Sequence, residues 1–170
     1  MISNGKFYES QFEEATIELL REAHWQYAFG DDIHRKYTDP LIEEDLRNFL
    51  TVQYKDKNLT TSEMDSIVAN LRNTGGQNDY YALRNAFLLY RDGYDFAYSD
   101  GRDNPFRLEY IDFEHPDHNI FRCVNQFVME QGRENRRPDI LLFINGIPVC
   151  IIELKNPTKQ NATIHDAPVS

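Results

Sequence analysis

The chain has 170 residues and a formal net charge of −10, with 41% hydrophobic and 13% aromatic residues. This composition excludes a disordered tail, because it supplies enough apolar surface for a core, and the length is that of one domain. The charge opposes a stand-alone DNA-binding protein, since nonspecific affinity for DNA comes mainly from Lys and Arg at the phosphates.

The first half of the chain is predicted to be mostly helical. Asp39 and Pro40 have the order of a cap residue and a first-turn proline, so a second helix is expected to begin there. Thr60 and Glu63 have the spacing of a capping box in front of a third helix. Hydrophobic periodicity predicts helices at 9–23, after 40, after 60 and at 81–90, and a short strand at 25–29.

The second half is predicted to form strands. After Gly93 the apolar segments become short and rich in aromatic and branched residues, and they are separated by Gly, Pro, Asp and Asn. Asn145-Gly146 is a strong hairpin signal between two strands that are apolar at nearly every position, which is typical of a central sheet covered on both faces. The predicted strands are 94–98, 106–113, 121–129, 139–144 and 147–154. The expected fold class is therefore α/β or α+β, with a mixed sheet flanked by helices.

No segment is predicted to cross or anchor in a membrane. The longest apolar runs, such as 147–152, are far shorter than the ~20 residues that a helix needs to span a bilayer, and no charged-then-apolar leader opens the chain. We therefore expect a cytoplasmic protein. Cys123 and Cys150 lie in apolar strand-like runs, where we expect small buried hydrophobes rather than a disulfide or metal ligands.

Three charged residues stand at the ends of the last two apolar strands: Asp139, Glu153 and Lys155. Glu153 and Lys155 are two residues apart, so on a strand they project from the same face. Two carboxylates can hold Mg²⁺, the ion activates water and phosphate, and a lysine stabilises the charge that develops during phosphodiester hydrolysis. The pattern favours a nuclease site over the alternative of a surface ion pair with an unrelated Asp139.

The register of the hairpin decides whether these residues can share a site. A regular two-residue loop at Asn145-Gly146 would pair Asp139 with Ile152 and place Asp139 and Glu153 on opposite faces. A three-residue loop from Ile144 to Gly146, or a bulge further along, would restore a common face. We expect one of these two arrangements.

The segments at 135–148 (Asn-Arg-Arg-Pro-Asp-Ile-Leu-Leu-Phe-Ile-Asn-Gly-Ile-Pro) and 152–157 (Ile-Glu-Leu-Lys-Asn-Pro) closely resemble the PD-(D/E)xK nuclease core of type I restriction enzyme R subunits. The likeness extends to Asp112-Phe113, 124–127 and 39–41, and so covers most of the chain. The resemblance implies a restriction-endonuclease-like fold in which Asp139, Glu153 and the backbone carbonyl of Leu154 bind Mg²⁺, with Mn²⁺ as a substitute, and Lys155 is catalytic.

The resemblance also implies the setting of the site. The expected activity is that of the endonuclease part of a type I site-specific deoxyribonuclease, acting on double-stranded DNA together with modification and specificity subunits. No G-x-x-x-x-G-K-[S/T] phosphate loop occurs in the chain, so ATP is expected to act only in the full-length enzyme. Residues 1–170 are expected to be a single endonuclease domain, truncated before the rest of the nuclease domain and the helicase-like motor domains.

Several weaker candidates accompany the main site. The resemblance suggests an acid from the first helix as a further metal ligand, and Glu13 is preferred over Glu14 because it shares a helical face with apolar residues. His115 and His118 have the appearance of a metal pair, but Pro and Asp between them favour a simple turn. The basic residues near the site are candidates for phosphate contacts, the alternative being that they only balance an acidic surface: Arg136, Arg137 and Lys159, with Arg133.

Two other functions remain open from the sequence. One is a catalytically silent module that docks partner or motor subunits, with the three charged residues serving structure. The other is a stand-alone PD-(D/E)xK nuclease that acts on another nucleic acid, such as single strands or RNA.

Overall fold

A computed structural model describes residues 9–74, 79–131 and 134–155 of the chain. The helices are α1 (Glu9–Glu22), α2 (Glu43–Gln53), α3 (Thr61–Arg72) and α4 (Asp79–Asp92). The strands are β1 (Gln26–Phe29), β2 (Tyr94–Phe96), β3 (Phe106–Leu108), β4 (Phe121–Asn125), β5 (Met129–Gln131), β6 (Glu134–Arg136), β7 (Ile140–Ile144) and β8 (Ile147–Ile152). This confirms the mixed α/β class and the helical first half.

A local capping signal explains where α3 begins but not where α2 begins. The Thr60 hydroxyl accepts from the backbone N–H of Glu63, and the Glu63 carboxylate accepts from the backbone N–H of Thr60, which confirms the predicted capping box of α3. The predicted cap at Asp39-Pro40 is wrong, because α2 begins three residues after the proline, with Ile42 as the cap residue. The backbone N–H of Ile42 donates instead to Gly146 O at 2.9 Å, which holds this segment against the hairpin loop.

A four-stranded sheet in the order β1-β4-β7-β8 carries the candidate site. β1 and β4 are parallel, with Gln26 opposite Arg122. The residue after β7, Asn145, donates its backbone N–H to Ile120 O, just before β4, at 2.8 Å. The end of β7 therefore adjoins the start of β4, and these two neighbours run antiparallel.

The predicted central position of strand β8 in the sheet is wrong. Within the described residues it is the edge strand, and the side chains of Val149 and Ile151 are 43% and 54% exposed. Cys150 on the same strand is exposed, contrary to prediction, whereas Cys123 on β4 is buried as predicted. Two smaller sheets pair β2 with β3 and β5 with β6.

The chain divides into two compact units, each with buried apolar residues of its own. Unit 1 comprises Met1–Asp39, Phe121–Phe143 and Val149–Ser170, and unit 2 comprises Pro40–Ile120 and Ile144–Pro148. The core of unit 2 packs α2 and α3 against residues of β2, β3 and the start of β8, including Leu46, Phe49, Leu50, Ile67, Val68, Phe96, Leu108, Tyr110 and Ile147. Among the described residues, no helix has the length and apolar character to cross a lipid bilayer.

Candidate functional site

The turn between β7 and β8 is fixed by two residues with left-handed backbone. Asn145 has φ +50° and Gly146 has φ +75°, the combination that a two-residue type I′ hairpin turn requires. A Cβ on Gly146 would lie 2.1 Å from the backbone oxygen of Ile42, so only glycine fits there. Of the two expected arrangements, the three-residue loop is therefore wrong, and the bulge further along the hairpin stays a prediction.

Asp139 and Glu153 nevertheless come together. Asp139 precedes the first residue of β7 and Glu153 follows the last residue of β8, so both lie outside the paired segments and the alternation of the pleat does not fix their directions. The Asp139 carboxylate accepts a hydrogen bond from the backbone N–H of Leu154, with Oδ2 2.6 Å from the nitrogen. This contact brings Asp139 to the peptide bond that joins Glu153 and Leu154.

The two carboxylates also interact electrostatically. Partial burial raises the pKa of Glu153 above its ordinary value, and the neighbouring negative charge of Asp139 raises it further. Asp139 is half-buried, whereas Glu153 and Lys155 are exposed. The pair is thus a concentration of negative charge that a cation would relieve, and solvent reaches it.

The first-helix acid lies at the same end of the sheet. Because β4 and β7 run antiparallel, the end of β4 at Asn125 lies at the same end of the sheet as Asp139, the residue before β7. The Asn125 amide donates to Glu13 Oε1 at 2.6 Å, and the Tyr27 hydroxyl donates to Asn125 Oδ1 at 3.0 Å. Glu13, the preferred acid on α1, is therefore held by Asn125 of β4 and is only partly exposed, whereas Glu14 is exposed.

Glu13 and Asn125 line an open pocket of about 350 Å³ between α1 and the strands β1 and β4. Asp139, Glu153 and Lys155 are not among its lining residues. Within the described residues, one group of three potential metal ligands has its ligand atoms within 4.8 Å of one another. It consists of Asp112, His115 and His118. Glu13 does not form such a group with Asp139 and Glu153.

The remaining predicted residues lie at the surface or outside the described residues. Arg136 and Arg137 are exposed, as contacts to phosphates would require. Arg133 and Lys159 lie outside the described residues. His118 ends the short 3₁₀ turn Pro116–His118, which confirms the predicted turn, but the convergence of both histidines on Asp112 was not predicted.

Sequence reasoning also missed the roles of Tyr27 and Asn125. Asn125 ends β4 beside the buried residues Cys123 and Val124, and a polar side chain next to buried apolar residues needs a specific partner. Its partners Glu13 and Tyr27 are 112 and 98 residues away along the chain, so no local pattern identifies them.

Comparison with known proteins adds an independent observation. A family profile described as type I restriction enzyme R protein N terminus matches residues 6–168. The chain belongs to this family. Membership in this family of R-protein N termini confirms the resemblance seen in the segments at 135–148 and 152–157.

Two relatives illustrate how much of an R protein this N-terminal segment represents. The HindI endonuclease subunit of a type I restriction enzyme from Haemophilus influenzae is 28% identical over 169 residues, covering 94% of this chain and 16% of the relative. The MjaIXP endonuclease subunit of a type I restriction enzyme from Methanocaldococcus jannaschii is 30% identical over 163 residues, covering 91% of this chain and 16% of the relative. The chain thus spans about one sixth of the length of these relatives.

Proposed function

We propose that this chain is the Mg²⁺-dependent nuclease part of a type I restriction enzyme R subunit, with its chemistry at Asp139, Glu153 and Lys155. The observation that carries the proposal is the hydrogen bond from the backbone N–H of Leu154 to the Asp139 carboxylate at 2.6 Å. It joins the Pro-Asp end of one strand to the Glu-x-Lys end of the next. The names of the two relatives, both endonuclease subunits, agree with this reading.

The donor set fits a hard divalent cation. Burial is the larger cause of the raised pKa of Glu153, and the neighbouring charge of Asp139 adds to it, so a bound cation would offset both effects. In the proposed site Asp139, Glu153 and the carbonyl of Leu154 hold Mg²⁺ or Mn²⁺ through oxygen, as these ions prefer. When bound, the ion polarises the phosphoryl group and acidifies a water molecule for attack on phosphorus.

The chain's own groups bind and orient the substrate. The Lys155 ammonium stabilises the negative charge that develops on the phosphoryl oxygens. The exposed guanidinium groups of Arg136 and Arg137, and the side chain of Lys159, contact the phosphates of double-stranded DNA. Because the chain as a whole carries −10, these local cations cannot hold DNA alone. Modification and specificity subunits, and an ATP-driven motor in the full-length enzyme, therefore deliver the DNA.

Variants in the assembled full-length enzyme test the proposal. Asp139→Asn, Glu153→Gln and Lys155→Ala should each reduce DNA cleavage by at least about 100-fold, the typical effect of losing one group that stabilises the transition state. ATP hydrolysis should be largely unchanged, because the motor lies elsewhere. Asp95→Asn is the control, since Asp95 is an exposed acid outside the motif and pairs with Arg107 at 3.2 Å. Cleavage that survives in one of the three variants contradicts the role of that residue.

Metal binding separates a nuclease from a catalytically silent docking module. Calorimetric titration of Mn²⁺ into the 170-residue chain should detect a site that Glu153→Gln weakens, because the variant removes one of two charged ligands. Equal Mn²⁺ binding by both proteins, or none by either, would favour the docking module.

A matched pair of variants on α1 tests whether Glu13 acts as a third acid of the site. Glu13 accepts from the Asn125 amide and is partly buried, whereas Glu14 one residue along is exposed. If Glu13 assists the site, Glu13→Gln lowers cleavage in the full-length enzyme and Glu14→Gln does not. Equal activity of both variants would leave Glu13 with a structural role only.

A further inference from the structure

A second group of potential metal ligands lies in unit 2, in the loop between β3 and β4. Ligand atoms of Asp112, His115 and His118 all lie within 4.8 Å of one another. His118 Nδ1 is 3.0 Å and His115 Nδ1 is 3.6 Å from the same oxygen, Asp112 Oδ2. The carboxylate is buried, at 5% exposure, while the two imidazoles are about half exposed, so the group opens to solvent on one side.

The loop holds the carboxylate in a fixed orientation. Asp112 Oδ1 accepts from the backbone N–H groups of Glu114 at 3.1 Å and His115 at 2.8 Å. These bonds leave Oδ2 facing the two imidazoles, with the Gln53 amide donating to it at 3.0 Å.

The turn Pro116–His118 explains why the two histidines face the same oxygen. Residues three apart eclipse each other on a 3₁₀ helix, and His115 is the cap residue immediately before this one. The rings accordingly stack, with centroids 4.9 Å apart and planes at 17°. Nothing in the nuclease proposal uses either histidine.

We propose that Asp112, His115 and His118 bind a divalent transition-metal ion, Zn²⁺ or a close substitute such as Co²⁺. Two imidazole nitrogens and one carboxylate oxygen are a ligand set that suits zinc, and the edges of a tetrahedron with bonds of about 2.0–2.1 Å are about 3.3–3.4 Å long. The two nitrogen–oxygen distances of 3.0 and 3.6 Å lie on either side of that value. The three ligand atoms would supply three corners of the tetrahedron, and a water molecule would supply the fourth.

The proposed ion is distinct in chemistry from the one at Asp139 and Glu153. Imidazole ligands favour Zn²⁺, Co²⁺ and Ni²⁺ over Mg²⁺, which takes oxygen ligands and gives up its water reluctantly. The residues belong to the loop 112–118 and, through Gln53, contact the end of α2. Binding would tie this loop to the helix and stabilise the folded state of unit 2.

Cobalt provides a direct probe. We suggest titrating Co²⁺ into the 170-residue chain carrying Glu153→Gln, in excess Mg²⁺, so that the oxygen site does not contribute. A single equivalent should bind with the visible absorption of nitrogen-ligated Co²⁺, and Zn²⁺ should displace it and raise the melting temperature. His115→Ala and His118→Ala should each weaken binding by at least about tenfold, since loss even of a group that only orients a ligand costs 10–100-fold.

Matched controls make the outcome decisive. His34→Ala removes another exposed histidine outside the loop and should leave the Co²⁺ titration unchanged. Asp112→Asn retains an oxygen for the two backbone donors, so the variant should fold, which far-ultraviolet circular dichroism can verify. Because the variant lacks the negative charge, it should bind Co²⁺ weakly. Equal Co²⁺ affinity in the parent and both histidine variants, or no Co²⁺ binding in excess Mg²⁺, would overturn the proposal.

Discussion

Replacing Asn145 with alanine should destabilise the chain strongly, because this fully buried side chain ties the β7–β8 turn to two other segments. Its Oδ1 accepts from the backbone N–H of Ile120 at 2.7 Å, and its Nδ2 donates to Tyr110 O at 2.9 Å and Asn119 Oδ1 at 2.7 Å. In the alanine variant the Asn119 side chain can bind water instead, because it is partly exposed. The backbone N–H of Ile120 and the backbone oxygen of Tyr110 are the two groups that lose their partner.

The magnitude follows from these two groups and the backbone. Each unsatisfied buried group costs about 1–2 kcal/mol, within the range for lost partners, and alanine at φ +50° adds about 1 kcal/mol. We therefore expect Asn145→Ala to lower the free energy of unfolding by about 3–5 kcal/mol. This is a large part of the roughly 5–15 kcal/mol that a domain usually has.

Urea unfolding at 25 °C measures this change, and glycine separates its two causes. Asn145→Gly loses the same hydrogen bonds but adopts positive φ without strain, so it should be more stable than Asn145→Ala by about 1 kcal/mol. A loss of less than about 1 kcal/mol in the alanine variant would refute the role given to the hydrogen bonds. An alanine variant as stable as the glycine variant would refute the role given to the backbone angle.

Three further predictions concern acid stability, close packing and the separation of chemistry from DNA delivery. Hydrogen bonds from Arg102 lower the pKa of Glu63 from 4.5 to about 2, so its contribution to stability is present above pH 4.5 and is lost as the pH falls toward 2. Glu63→Gln should flatten the fall in melting temperature over that interval, and an unchanged profile would contradict the assignment. Gly30→Ala should lower the free energy of unfolding in urea by about 1–3 kcal/mol, because its Cβ would lie 2.4 Å from Gln126 O. An unchanged free energy of unfolding would show that β1 and the segment after β4 can separate. The 170-residue chain alone with Mg²⁺ at physiological salt should cut DNA little while the ion raises its melting temperature, and robust, salt-tolerant cutting would favour the stand-alone nuclease.

Features that depend only on neighbouring residues follow from the local sequence. The local pattern suffices to predict the capping box at Thr60 and Glu63, the helical stripe of α1 and the position, though not the loop length, of the turn at Asn145-Gly146, because each is set by interactions within a few residues. The local pattern also predicts the motif at Asp139, Glu153 and Lys155, because a charged residue at the end of an apolar strand needs a partner.

The partners of these elements across the fold depend on the tertiary structure. The hairpin register does not set the directions of Asp139 and Glu153, because both lie just beyond the paired strands, where the pleat no longer directs side chains. The contact of Asn125 with Glu13 joins residues 112 positions apart, and the two histidines converge on Asp112 because its other oxygen is bound by the loop backbone. Such contacts depend on where distant segments pack, and a chain's local preferences do not encode that packing residue by residue.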